Sequence, residues 1–145
     1  MNRLLLLLHI FTVVIWIGGM FFAHFCLRPA AAEQLSPAQR LPLLASVLGR
    51  FFVVVSVALV VLWGSGAVLF SNAGSLAPTN WVAMMGVAGV MTVLFLAIVF
   101  RWFPSMKRAV SAQDWQAAGA AMNTIRLLVV INLLLGFLTI AIAVV

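Results

Sequence analysis

Two histidines on one apolar run are the groups in this sequence best placed to do chemistry. His9 and His24 both lie within Leu4 to Leu27, with Trp16, Gly18-Gly19 and Met20 between them. An imidazole in hydrocarbon is costly and usually faces the protein interior, so by default it marks a functional site. Imidazole nitrogen suits copper and thioether sulfur favours Cu(I), while a His/Met pair can also hold the iron of a b-type haem. Met84 and Met85 begin a later apolar run, and Met91 follows further in. His9 with Met20, Met84 and Met85 therefore forms a candidate Cu(I) site. The haem alternative has His9 as axial ligand, with His24 and Arg50 as further contacts, Arg50 by holding an anionic group such as a propionate.

Helical phase and rise sort these candidates. At 100° per residue, Trp16 and Met20 fall within about 20° of His9 around a helix axis, Thr12 and Val13 flank that line, and His24 lies about 60° away. His9, Thr12, Trp16, Met20 and, more loosely, His24 define one face that should point into a bundle. The two histidines are separated by 15 residues, about 22 Å of helix, so they cannot share one metal ion within a chain. Each candidate also has a plainer role. His9 can be a neutral imidazole bonded to a Ser, Thr or carbonyl of another span, and methionine is a flexible packing residue. Arg50 can snorkel to the headgroups or pair with Glu33. His24 lies close to Arg28 at an interface that water reaches. Asn132 and Trp16 read as structural polar groups, Asn132 through interhelical hydrogen bonding, and Cys26 as a small apolar filler.

The elements that position these residues follow from composition. The chain has 145 residues, 66% hydrophobic and 7% charged, with a mean hydropathy of +1.28. A soluble domain of this length needs far more surface charge. Four apolar segments stand out, at about 4–27, 43–70, 81–103 and 122–145, each long enough to cross a hydrocarbon core of ~30 Å. Continuous apolar runs without alternation select helices, because the backbone must satisfy itself in lipid. The expected fold is all-α: an integral-membrane four-helix bundle forming a single transmembrane domain over 1–145.

Charge sets the topology. Seven of the eight basic residues (Arg28, Arg40, Arg50, Arg101, Lys107, Arg108 and Arg126) flank the segments 28–41 and 103–124, and only Arg3 lies elsewhere. The connection from Ser71 to Asn80 carries no charge. The positive-inside rule then places both termini and the 71–80 connection outside, in the periplasm of a bacterial inner membrane. Ser36-Pro37 with Gln39 reads as a capping box with proline in the first turn, after which Pro42 should interrupt the helix. Ser111 and Asp114 mark the start of the last helix. Gly18 and Gly19, and also Gly64, Gly66, Gly86 and Gly89, read as close-packing positions.

Several function classes are excluded by what the sequence holds. The only acidic residues are Glu33 and Asp114, both in the basic loops, so no intramembrane carboxylate pair exists for acid–base work. There is no phosphate-binding glycine loop, no Ser-His-Asp set and no tyrosine. A hydrolase or an ATP-driven pump is excluded, and an enzyme here would be a haem-dependent membrane oxidoreductase. The net charge of +6 belongs to the topology and not to a nucleic-acid footprint. The first run is longer than a secretory h-region and ends in Arg28-Pro29, so it is expected to be a retained span.

Leu8-His9-Ile10, Trp16-Ile17-Gly18-Gly19-Met20-Phe21-Phe22 and Leu27-Arg28-Pro29 resemble the first span of the copper-resistance protein D (CopD) family. Leu48-Gly49-Arg50-Phe51-Phe52 resembles the start of its second span, and Ile131-Asn132-Leu133 with Leu135-Gly136 its last helix. The resemblance runs over essentially the whole chain, in the manner of short, four-span members. It implies a bacterial inner-membrane protein associated with copper handling, and His9 as its site residue. More distantly the early His and following Trp resemble HemJ-type protoporphyrinogen oxidases, which bind haem b on a four-helix bundle. Expected partners are the lipid bilayer, a second copy of the chain and a periplasmic copper carrier. A third possibility is a non-catalytic accessory subunit of a membrane complex, in which the histidines only form hydrogen bonds.

Overall fold

The computed structural model describes residues 2–145. Four helices are long and apolar enough to cross a membrane: α1 (Arg3–Gln34), α2 (Pro37–Leu76), α3 (Thr79–Ser111) and α4 (Trp115–Val144). No strand occurs among the described residues. The α1–α2 and α3–α4 hairpins pack together through α4, which lies against both α1 and α2, while α2 also meets the Phe103–Ser111 end of α3. For orientation, the end carrying both termini and the α2–α3 connection is called the terminal end, and the opposite end, with the α1–α2 and α3–α4 connections, the basic end.

The helices outrun the apolar segments, and two prolines explain why they can. The sequence suggests that the first span stops near Leu27 and the third near Phe103, each just before a proline. Instead α1 continues through Pro29 and α3 through Pro104. In both, a π-helical turn precedes the proline, over Ala23–Leu27 and Ile98–Trp102, and the N–H groups of Arg28 and Phe103 reach five residues back to Ala23 and Ile98. A proline ring clashes with the carbonyl four residues earlier. Widening the turn moves that carbonyl aside and lets the helix run on.

Pro42 also fails to interrupt. It lies inside α2, which is helical from Pro37 to Ala73 without a break. Only one hydrogen bond, to the carbonyl four residues before it, is forfeited, and that carbonyl belongs to Ala38, exposed near the helix start where water can serve it. Ser36 occupies the N-cap with Pro37 following, but its side chain makes no capping bond. The predicted capping box is thus present in position and absent in chemistry. Asp114 does cap α4, accepting from the Ala117 N–H at 3.1 Å. At the other turn Gly74 has φ +53°, a conformation that favours glycine, and closes α2 in a short 3-10 turn.

The core is built around aromatic edges. Trp16 of α1 meets Phe95 of α3 edge-on at 6.2 Å, Phe95 meets Phe52 of α2 at 5.8 Å, and Phe52 meets Phe103 of α3 at 5.0 Å. Such T-shaped pairs contribute about 0.5–1.5 kcal/mol each beyond the area they bury. Large apolar side chains remain exposed around the whole bundle, Val60 and Phe100 each at 75%. A surface of that kind belongs against lipid.

Of the glycines expected to permit close packing, Gly19 and Gly66 do, and Gly136 joins them. A Cβ at Gly19 would run into the Phe51 ring, one at Gly136 would lie 2.9 Å from Ile17, and one at Gly66 would lie 3.2 Å from His9. Gly18, Gly64, Gly86 and Gly89 have nothing within 4 Å of that position, so their assignment as packing sites is corrected. They face the perimeter, where no neighbouring helix of this chain approaches.

Candidate functional site

Thr12, Trp16 and Met20 are buried along the predicted inward face of α1, and His9 is half-buried at its terminal end. The neighbour His9 meets is α2. Its Nδ1 lies 3.1 Å from the Ser65 hydroxyl, and its Cε1 fills the space left by the missing side chain of Gly66. Ser65 is 4% exposed, and its hydroxyl donates to the Leu62 carbonyl at 3.1 Å.

One arrangement of protons satisfies every group in this chain: Ser65 gives its proton to Leu62, and the imidazole, protonated on Nδ1, donates to the Ser65 oxygen. In that tautomer Nε2 is unprotonated with a free lone pair. A hydrogen bond at one ring nitrogen that fixes and orients the other is how proteins prepare a metal-ligating histidine. The carbonyl of His9 is engaged too, accepting the Thr12 hydroxyl at 2.7 Å within α1.

The methionines are placed as follows. Met20 is fully buried in the core, Met84 is half-buried, and Met85 is 42% exposed. Met84 and Met85 lie near the terminal end of α3, about 8 Å from its first residue by rise, a depth comparable with that of His9 after the start of α1. The hydrogen bond and the close packing of His9 nevertheless go to α2, not to either methionine. Met91 is committed elsewhere: its carbonyl accepts Asn132 Nδ2 at 3.0 Å, and its sulfur lies 3.8 Å from the Thr139 hydroxyl. Among the described residues no group of three His, Cys, Asp or Glu side chains is placed to hold a metal ion.

The remaining candidates stand apart. Arg50 is exposed on α2, 15 residues before Ser65, which is about 22 Å along the helix from His9's partner. His24 sits at the basic end with its Nδ1 buried and unbonded. Asn132 is 1% exposed and ties α4 to α3 through Met91, the interhelical role its sequence context suggests. Trp16 serves packing through Phe95.

Ser65 is the residue that sequence reasoning missed. Its signal was available: a hydroxyl between two glycines in an otherwise apolar span, at a depth matching His9. Two interhelical bonds were also unforeseen, from Trp63 Nε1 to Thr92 at 3.1 Å and from Asn80 Nδ2 to the Ile142 carbonyl at 3.0 Å.

The family model for copper resistance protein D matches residues 45–145, well over half of the chain. The chain belongs to the copper resistance protein D family. No curated relative and no solved structure matches it. The match covers α2 from Ala45 onward with α3 and α4, and so includes Ser65, Gly66 and Asn132. His9 and His24 lie before its start. Together with the four spanning helices, the match identifies a copper-resistance-related membrane protein. It extends to this family and not to the haem-binding group that the first span distantly resembles.

Proposed function

We propose that this chain handles copper as Cu(I) within the membrane, with His9 Nε2 as the ligand that fixes the site. The observation that carries the reading is the His9–Ser65–Leu62 relay, which holds the imidazole in one orientation and leaves the lone pair of Nε2 free. Membership of the copper resistance protein D family supplies the metal. Cu(I) accepts imidazole and thioether donors in low coordination numbers. Further donors come from Met84 and Met85 at the same end of the bundle, from Met20 deeper in α1, or from a second copy of the chain. The charge distribution supports a terminal end facing the periplasm, where a copper carrier could deliver the ion.

Copper here is cargo, bound and released, and the surroundings of His9 suit that use. The imidazole is half-buried, and the only carboxylates, Glu33 and Asp114, lie at the opposite end of the bundle, so none is at hand to trap a divalent ion. The test is competition for Cu(I) between the purified chain and a chromogenic chelator. One Cu(I) per site is expected, with affinity falling on the order of 100-fold in His9→Ala. Unchanged retention of Cu(I) by His9→Ala overturns the reading. A Soret band in the protein as purified that disappears in the same variant overturns it in favour of haem iron.

A further inference from the structure

The basic end of the bundle holds a second polar constellation that copper handling does not use. His24 and Arg28 of α1 and Arg126 of α4 line one cavity of about 30 Å³, closed on its third side by Leu44 and Leu48 of α2. The π turn over Ala23–Leu27 sets the first pair: the two residues are four apart, and the widened turn directs both towards α4.

Two features of this cavity are unusual. His24 Nδ1 and Arg28 Nε are each buried without a hydrogen-bond partner. A buried polar atom left unpaired costs about 1–3 kcal/mol, and more when it belongs to a charged group. Two arginines also line the cavity while no carboxylate does. The chain's only acids are Glu33, which is exposed, and Asp114, which caps α4. Snorkelling would carry an arginine head out to water, yet Arg28 Nε is buried. Like charges gathered around buried, unpaired nitrogens suit an anion.

We propose that His24, Arg28 and Arg126 bind the phosphate of an anionic phospholipid headgroup. Arginine forks match phosphate oxygens geometrically, and basic pockets between transmembrane helices at the basic side recur as anionic-headgroup sites. The size of the cavity specifies how the lipid is held. About 30 Å³ admits one or two water-sized atoms, hence phosphate oxygens but not an acyl chain. The oxygens enter and accept from Arg28 Nε, His24 Nδ1 and the Arg126 guanidinium, while glycerol and chains remain on the lipid-facing surface. Free phosphate offers the same oxygens, but the walls formed by Leu27, Leu44 and Val129 are apolar, which favours a ligand that brings its own hydrocarbon.

The experiment is native mass spectrometry of the full chain in neutral detergent, titrated separately with phosphatidylglycerol, phosphatidylcholine of the same acyl chains, and inorganic phosphate. The wild type is expected to retain one phosphatidylglycerol with about tenfold preference over phosphatidylcholine, equivalent to about 1.4 kcal/mol. Arg28→Gln with Arg126→Gln should lose the preference, and Arg108→Gln, which lies outside the cavity, should keep it. Equal binding of the two lipids, equal occupancy by inorganic phosphate, or a preference that survives the double replacement each overturns the proposal. Folding is checked with Arg126→Leu, which removes one of two facing cations. It should melt at least as high as wild type without lipid and gain nothing from phosphatidylglycerol; a gain equal to that of wild type overturns the proposal as well.

Discussion

His9 and His24 sit on the same helix, about 22 Å apart by rise, and the bundle treats them in opposite ways. His9 meets a neutral hydroxyl that is itself bonded to a carbonyl, so its ring is oriented and one nitrogen is left free. His24 meets arginines, and its Nδ1 is buried with nothing to bond. The first environment prepares a neutral imidazole to donate a lone pair to a soft cation. The second gathers donors and positive charge, which is the environment of an anion site. Identical side chains on one face of one helix thus acquire different chemistry from what α2 and α4 present at each depth.

The sharpest way to break this contrast is to exchange the losses. His9→Ala is expected to remove Cu(I) retention, on the order of 100-fold, whereas His24→Ala should change it by less than about threefold. Cu(I) competition on both variants in the same detergent decides it. Equal losses would mean that the two imidazoles serve one process and that the division by depth is wrong.

Removing the brace and keeping the ligand comes next. Ser65→Ala leaves His9 in place but takes away the acceptor for Nδ1–H, so the proton can move to Nε2 and the ring can turn. Loss of such an outer partner typically costs about 10–100-fold in metal affinity. About tenfold is expected here, read in the same competition assay, with Ser65→Thr restoring most of it. A Ser65→Ala variant with wild-type affinity would show that Ser65 only packs.

A smaller effect separates the glycines flanking Ser65. At Gly66 a Cβ would lie 3.2 Å from His9 Cε1, so Gly66→Ala forces the imidazole to shift, whereas a Cβ at Gly64 meets nothing within 4 Å. Gly66→Ala should weaken Cu(I) binding by about threefold through misplacement of Nε2, and Gly64→Ala should leave it unchanged. The same affinity in both variants would deny that Gly66 shapes the site.

Much of this arrangement was legible in the sequence, for reasons tied to particular residues. Apolar runs without alternation can only be spanning helices, and the phase of Thr12, Trp16 and Met20 gave the buried face because α1 is a regular helix up to Phe22. Helix ends were harder. Pro42 read as an interruption, and Pro29 and Pro104 lie just past the expected ends of their spans, yet a π turn or an exposed carbonyl absorbs each one. The partner of His9 was not legible, since four antiparallel spans allow α1 to face any of the others at a given depth. Phase chose the face but could not say that Ser65 of α2, and not Met84 of α3, would occupy it. The orphaned donors at His24 and Arg28 depend on side-chain packing and leave no mark in one dimension.

Asn132 supplies the mildest test, and it asks what a polar group in this bundle does when it is only structural. It is 1% exposed, and its Nδ2 bonds the Met91 carbonyl while its Oδ1 remains without a partner. Asn132→Ala would lose one interhelical bond and relieve one unpaired oxygen, while the Met91 carbonyl stays within its own helix. Interhelical hydrogen bonds in membranes average about 0.6 kcal/mol, so a destabilisation of that order is expected in a detergent unfolding titration. Cu(I) affinity and lipid preference should both be unchanged, because Asn132 touches neither end. A loss of Cu(I) binding in this variant would tie the centre of the α3–α4 hairpin to His9, and the two ends could then no longer be treated as separate sites.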